Sequence, residues 1–129
     1  GVMAMEPQVL ILDEPTAGLD PRGREQILAM IQDYRKTRNT TVLLVSHSME
    51  DVAHFAQRVA VMHDSKLIMC GTTKEVFANP ETLVSIGLDV PQITRILMSL
   101  NCEGKVFDTS VYTIEDAAAE IMKHINRKN

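Results

Sequence analysis

The chain has 129 residues, with 13 basic and 17 acidic side chains for a net charge of −4, and it is 45% hydrophobic but only 4% aromatic. An acidic chain with no Lys/Arg cluster and so few rings for base stacking is not built for nucleic acid, and no apolar run approaches the roughly 20 residues that cross a bilayer. Cys70 and Cys102 make neither a disulfide framework nor a zinc-type Cys/His spacing. With no signal-peptide pattern over Gly1 to Pro7, the expectation is a soluble intracellular chain in a reducing compartment.

Gln8-Val-Leu-Ile-Leu-Asp13 is the first strong element. Its unbroken apolar run predicts a parallel strand buried on both faces. Asp20-Pro21 then opens a helix, with Asp20 as N-cap and Pro21 at the first helical position. Ile27, Met30, Ile31 and Tyr34 follow at helical spacing. Thr40-Thr41 restarts a second buried strand through Val45. Ser48-Met-Glu-Asp51 has the capping-box pattern of a short helix running to about Gln57. Arg58 to Met62 and Lys66 to Cys70 predict a hairpin turned at His63-Asp64-Ser65. Strand, helix, strand, helix, strand in this rhythm is an α/β fold with a parallel core.

Past Asn79-Pro80 the pattern turns helical. Val90 to Leu100 carries Ile93, Ile96, Leu97 and Leu100 on one face. Thr113 and Asp116 make a capping box before the stripe Ile114, Ala117, Ala118, Ile121, Met122 and Ile125. The change places a boundary near residue 80, with a small helical domain over 80–129 that needs something to dock on.

The chemistry concentrates in two places. Asp13 and Glu14 stand at the C-terminal end of the first strand, the edge at which open α/β sheets bind ligands. Successive strand side chains point to opposite faces, so the two acids meet different surroundings. One acid suits the water shell of a Mg²⁺ ion and the other the orientation of a water molecule, the two tasks phosphoryl transfer sets. The next strand ends in Val45-Ser46-His47, which brings an imidazole to the same edge. His54, His63 and His124 have no partners at metal-ligand spacing and are expected to be structural. The eight methionines are scattered core filling. Cys70, after Leu67-Ile-Met, is expected to be a buried small hydrophobe, and Cys102 to lie in an exposed loop.

The block Leu10-Ile-Leu-Asp-Glu-Pro-Thr-Ala-Gly-Leu-Asp-Pro21 resembles the Walker B and D-loop of ABC-type ATPases, and Val45-Ser46-His47 resembles that family's switch-histidine strand. The resemblance implies the C-terminal part of a P-loop NTPase sheet over residues 1–79. It implies that Asp13 supports Mg²⁺ through water, that Glu14 is the catalytic carboxylate polarising the attacking water, and that His47 touches the γ-phosphate of ATP. Ala17 to Asp20 would be the D-loop, which places Asp20 at the nucleotide site against the opposite subunit of a nucleotide-sandwich dimer. Ile86-Gly-Leu-Asp-Val-Pro-Gln92 with its following helix is similar to the C-terminal domain of energy-coupling-factor ATPases. Those subunits drive vitamin and transition-metal importers, cobalt systems among them. In that group the tail pairs ATPase subunits, in homo- or heterodimers, and the ATPases sit on the cytoplasmic face of the membrane with a transmembrane coupling protein and a substrate-binding membrane component.

No GxxxxGK[ST] phosphate loop and no LSGGQ-like signature occur in the sequence. The parent subunit is therefore expected to hydrolyse ATP, and the isolated 129-residue chain is not. The alternative reading is a non-catalytic dimerisation or regulatory module derived from such an ATPase.

Overall fold

A computed structural model describes residues 7–127. The chain divides into two compact units, the first ending at Asp51 and the second beginning at Val52. In the first unit, strand β1 (Val9–Asp13) leads through helix α1 (Pro21–Arg38) to strand β2 (Thr41–Val45). The strands pair in parallel, Val9 opposite Thr41 and Asp13 opposite Val45, so both C-terminal ends finish at one edge. Parallel pairing needs a crossover, and α1 is that crossover.

Helix α1 starts as its sequence dictates. Asp20 is extended, its carboxylate accepts from the Gly23 N–H at 2.9 Å, and Pro21 fills the first turn, where no donor is needed. A Cβ on Gly23 would stand 2.7 Å from Asp20 Oδ1, the end of a flexible side chain, so a larger residue there would require the capping carboxylate to shift. The helix ends at Asn39 in the left-handed region, with Arg35, Lys36 and Arg38 in its last turn, where cations favour the helix dipole.

The two-sided burial predicted for the strands is not found. Leu10 is fully buried, but Val9, Ile11, Leu43 and Val45 are exposed, Ile11 by 64%. The apolar run suits a sheet covered on both faces, and residues 7–127 cover one. The α1 stripe is also shifted: Leu28 and Ile31 are the buried positions, and Met30 is half exposed.

Helix α2 (Met49–Phe55) carries the chain into the second unit. Strands β3 (Arg58–His63) and β4 (Lys66–Thr72) form an antiparallel hairpin with a register shift at Val61/Met62. Asp64 and Ser65 both have positive φ, 48° and 60°, the requirement of a two-residue type I′ turn. Cys70 is exposed on β4 rather than buried, with the Arg58 guanidinium 3.8 Å from its sulfur. Alternation along a hairpin strand, not the apolar run before it, sets which way that side chain faces. Cys102 is exposed as expected, but it closes a helix (Gln92–Cys102) rather than lying in a loop.

Four helices follow: α3 (Thr73–Phe77), α4 (Pro80–Ser85), α5 (Gln92–Cys102) and α6 (Ile114–Arg127). Helix α3 packs on the hairpin and begins with a complete Thr72/Glu75 capping box. The boundary read near residue 80 falls inside the second unit, between α3 and α4. Phe77, Leu83, Leu97 and Ala117 are its most deeply buried apolar residues. Helix α5 packs against α6, and its buried face is Thr94 and Leu97, with Ile96 exposed. Thr94 tolerates full burial because its hydroxyl donates to Val111 O at 2.7 Å. On α6 the capping hydroxyl of Thr113 accepts from the Asp116 N–H at 3.2 Å, yet within the predicted stripe only Ala117 is buried; Ile114, Met122 and Ile125 are exposed.

The segment between α5 and α6 is tied down by polar contacts. The Asn101 side chain accepts from Phe107 N and donates to Phe107 O, and Phe107 meets the His124 ring edge-on at 4.5 Å. The Ser110 hydroxyl and N–H both donate to Asp108, which holds that carboxyl below its usual range. The Asp108 N–H donates in turn to Glu120, lowering the Glu120 carboxyl against the opposing effect of burial. Both groups are depressed in the folded state, so both stabilise it above the ordinary carboxylate range. That contribution is lost as pH falls through the folded-state values. Asp108→Asn is expected to flatten the acid limb of the unfolding curve between about pH 5 and pH 2; circular dichroism melts over that range measure it. An unchanged acid limb would show that the Asp108 contacts carry no linkage.

Candidate functional site

Because β1 and β2 end in register, the residues leaving them are neighbours. The Glu14 N–H donates to Val45 O at 2.8 Å, which extends the ladder one residue beyond β1. Glu14 then turns sharply, with φ at 47°, a region that costs a non-glycine residue about 1–3 kcal/mol and that clusters at functional sites. The reversal continues with Ala17 N–H donating to Glu14 O at 3.2 Å and Leu19 N–H to Thr16 O at 3.2 Å. Gly18, at φ 77° in the third position of that second turn, occupies the place a type II turn reserves for glycine. An added Cβ would meet no atom within 4 Å, so backbone conformation rather than space requires the glycine.

The turn delivers the Glu14 carboxylate to His47. Glu14 Oε1 accepts from the His47 backbone N–H at 3.0 Å and lies 2.6 Å from His47 Nδ1. With its proton on Nδ1 the ring donates to the carboxylate, which leaves Nε2 for another partner. The His47 side chain is 86% exposed and that of Glu14 31%. Open histidine and partly sheltered carboxylate together form a polar pair at the strand edge. Asp13, the last residue of β1, is exposed, and its carboxylate takes no hydrogen bond from any described residue. An open carboxylate is a hard oxygen donor of the kind a hydrated Mg²⁺ ion takes.

Of the residues singled out from the sequence, the structure brings Glu14 and His47 into contact and sets Asp13 beside them. It places Asp20 elsewhere: that carboxylate is spent on the α1 cap, and the residue is exposed. The sequence gives no site signal for Thr16, Arg24, Ser48 and Asp51, which form a hydrogen-bonded cluster on the segments that follow Glu14 and His47. Thr16 Oγ1 donates to Asp51 Oδ2 at 2.8 Å. The Arg24 guanidinium donates to Asp51 Oδ1 at 2.7 Å and to Ser48 Oγ at 2.6 Å. Ser48-x-x-Asp51 has capping-box spacing, and half of the box forms, with Asp51 N–H donating to Ser48 Oγ at 3.4 Å. The other half is absent because the Asp51 side chain faces Thr16 and Arg24 instead.

A parallel strand pair ending in adjacent acids, a glycine turn into a capped helix and a histidine at the neighbouring strand end make the arrangement that the sequence resemblance implies for the C-terminal part of an ABC-type ATP-binding protein. No protein-family model matches the chain. It is 53% identical over 128 residues, 99% of its length, to the energy-coupling factor transporter ATP-binding protein EcfA2 of Clostridium tetani. It is 49% identical over 129 residues to the protein of the same name from Clostridium perfringens. It spans 44% and 45% of those relatives, so less than half the length of each. Among solved structures it matches cbiO1 of Clostridium perfringens, described as part of the ABC transporter complex cbiONQ, with a TM-score of 0.58 and 37% identity over 78% of this chain and 39% of that one. The chain belongs to the energy-coupling-factor group of ABC-type ATP-binding proteins and corresponds to their C-terminal part.

Proposed function

We propose that this chain is the C-terminal part of an ATP-hydrolysing subunit that powers a membrane importer of the energy-coupling-factor type, for a vitamin or a transition-metal ion. The observation that carries the reading is the Glu14–His47 contact, 2.6 Å long, at the C-terminal edge of a parallel strand pair. Glu14 polarises the attacking water, and His47 contacts the terminal phosphate of ATP through the nitrogen its contact with Glu14 leaves open. Asp13 fits the water shell of a Mg²⁺ ion, whose charge would neutralise that developing on the phosphates. Asp20 fixes the start of α1 and so sets where the Ala17–Asp20 turn is presented to a second ATPase subunit. The other partners are a transmembrane coupling protein and a substrate-binding membrane component. The subunit then sits peripherally on the cytoplasmic face of the membrane, and no described helix is long and apolar enough to cross it.

Residues 1–79 are the part of the ATPase core that carries this site, and residues 80–129 pair ATPase subunits. The exposed stripe on α6 supports the pairing, since Ile114, Met122 and Ile125 are each at least half exposed. Contiguous apolar surface of that kind marks association sites. Ile125→Glu in the full-length subunit is expected to weaken self-association at least tenfold in sedimentation velocity without lowering the melting temperature. Unchanged association would exclude this face.

Turnover is the test of the function. The full-length subunit is expected to hydrolyse Mg-ATP, and the 129-residue chain alone, which contains no GxxxxGK[ST] sequence, is not. Turnover by the isolated chain, or none by the full-length subunit in its transporter complex, would contradict the reading.

A further inference from the structure

The Glu14–His47 contact does not stand alone. Behind it one buried carboxylate joins three separate stretches of chain. Thr16 follows Glu14 by two residues, Ser48 follows His47 directly, and Arg24 lies in the second turn of α1. All three converge on Asp51 or its immediate partner. Thr16 occupies one Asp51 oxygen at 2.8 Å, Arg24 the other at 2.7 Å, and Arg24 also holds Ser48 Oγ at 2.6 Å. Thr16 and Asp51 are only 5% and 6% exposed.

Burying a carboxylate costs several kcal/mol unless it is paired and hydrogen-bonded, and a buried ion pair commonly does no better for stability than apolar groups of the same volume. Stability is therefore a poor reason for this cluster. Geometry is a better one. Glu14 holds a left-handed φ, and such strain persists only where the surroundings over-determine it. The Thr16–Asp51 bond anchors the far side of that turn, and the Arg24–Ser48 bond anchors the segment that carries His47.

We propose that Thr16, Arg24, Ser48 and Asp51 are a positioning network that fixes the Glu14 turn and the His47 segment relative to each other, and so sets the contact between the carboxylate and the histidine. None of the four need touch substrate. The kinetic consequence rests on the phosphoryl-transfer reading above; the mechanical coupling does not.

The test uses the full-length subunit with Thr16→Val, which keeps the shape and removes the hydroxyl, and Thr16→Ser, which keeps the hydroxyl. Three quantities are read: hydrogen-exchange protection of the His47 amide, kcat for ATP and the Kd for nucleotide. Thr16→Val is expected to lower His47 protection about tenfold and kcat about 10–100-fold, the scale that a misplacement near 1 Å produces, with nucleotide Kd within twofold. Thr16→Ser restores protection and rate. Ser48→Ala supplies a milder loss in the same direction should Thr16→Val not fold. Wild-type protection and kcat in Thr16→Val, or in Ser48→Ala where Thr16→Val is unfolded, overturn the proposal, as does a Thr16→Ser variant that restores neither. If Glu14→Gln leaves hydrolysis intact while Thr16→Val still deprotects the His47 amide, the positioning network stands and the phosphoryl-transfer reading falls.

Discussion

Glu14→Gln in the full-length subunit is expected to lower kcat for ATP by about 10²–10⁴-fold, the range that removal of a positioned general base produces. Glutamine has nearly the same shape, and its amide oxygen still accepts from the His47 N–H that Glu14 Oε1 now takes at 3.0 Å. The turn therefore keeps its geometry. What is lost is the negative charge and the basic oxygen needed to draw a proton from water. Because the change acts in the transition state, kcat and kcat/KM should fall together, with nucleotide affinity within a few-fold of wild type. Steady-state kinetics beside equilibrium nucleotide binding decide it. Hydrolysis at the wild-type rate would remove Glu14 from the chemistry, and loss of binding would make its role structural.

The largest effect on stability is expected from Asp51→Ala. The substitution leaves the Arg24 guanidinium and the Thr16 hydroxyl without their shared acceptor, and removing one member of a buried ion pair commonly costs about 3–5 kcal/mol. The Arg24 side chain remains 34% exposed, so water recovers part of that loss. An effect of about 3 kcal/mol follows, at the lower end of the buried range. It appears as a lower denaturant midpoint with an unchanged slope. The control is Asp33→Ala, on the exposed side of α1, which should shift stability by no more than about 0.5 kcal/mol. Equal shifts in the two variants would show that the Thr16–Asp51–Arg24 cluster contributes nothing special.

The first unit was readable because its signals are local. A four-residue apolar run, an Asp-Pro helix start and a second apolar run suffice for strand, crossover and parallel strand, and they bring Glu14 and His47 to one edge without any knowledge of packing. Burial was less readable. Val9 and Ile11 look like core residues in the sequence, but what covers a sheet face is not encoded in the strand itself. The α1 stripe was offset for a similar reason: Leu28 is buried and Met30 is not, and an eighteen-residue helix offers several overlapping apolar arcs. Helix α3 was missed although Thr72-Thr-Lys-Glu75 is a capping box, because the β-rich stretch before it hid the start signal. Cys70 was misread because a hairpin strand alternates its faces. The supporting cluster was the least legible of all. Asp51 follows Ser48 at capping-box spacing, which gives a sufficient local explanation and conceals a partner 35 residues away in Thr16. Long-range polar contacts of this kind have no periodic signature.

The most direct test of the central claim is a structure of the full-length subunit with Mg²⁺ and a non-hydrolysable ATP analogue. The Glu14 carboxylate and the free nitrogen of His47 are predicted to face the terminal phosphate or its attacking water within hydrogen-bond reach, about 3 Å, with Asp13 in the water shell of the metal. A nucleotide bound with its phosphates away from the β1–β2 edge, out of reach of the Glu14 carboxylate and of the free nitrogen of His47, would contradict the account.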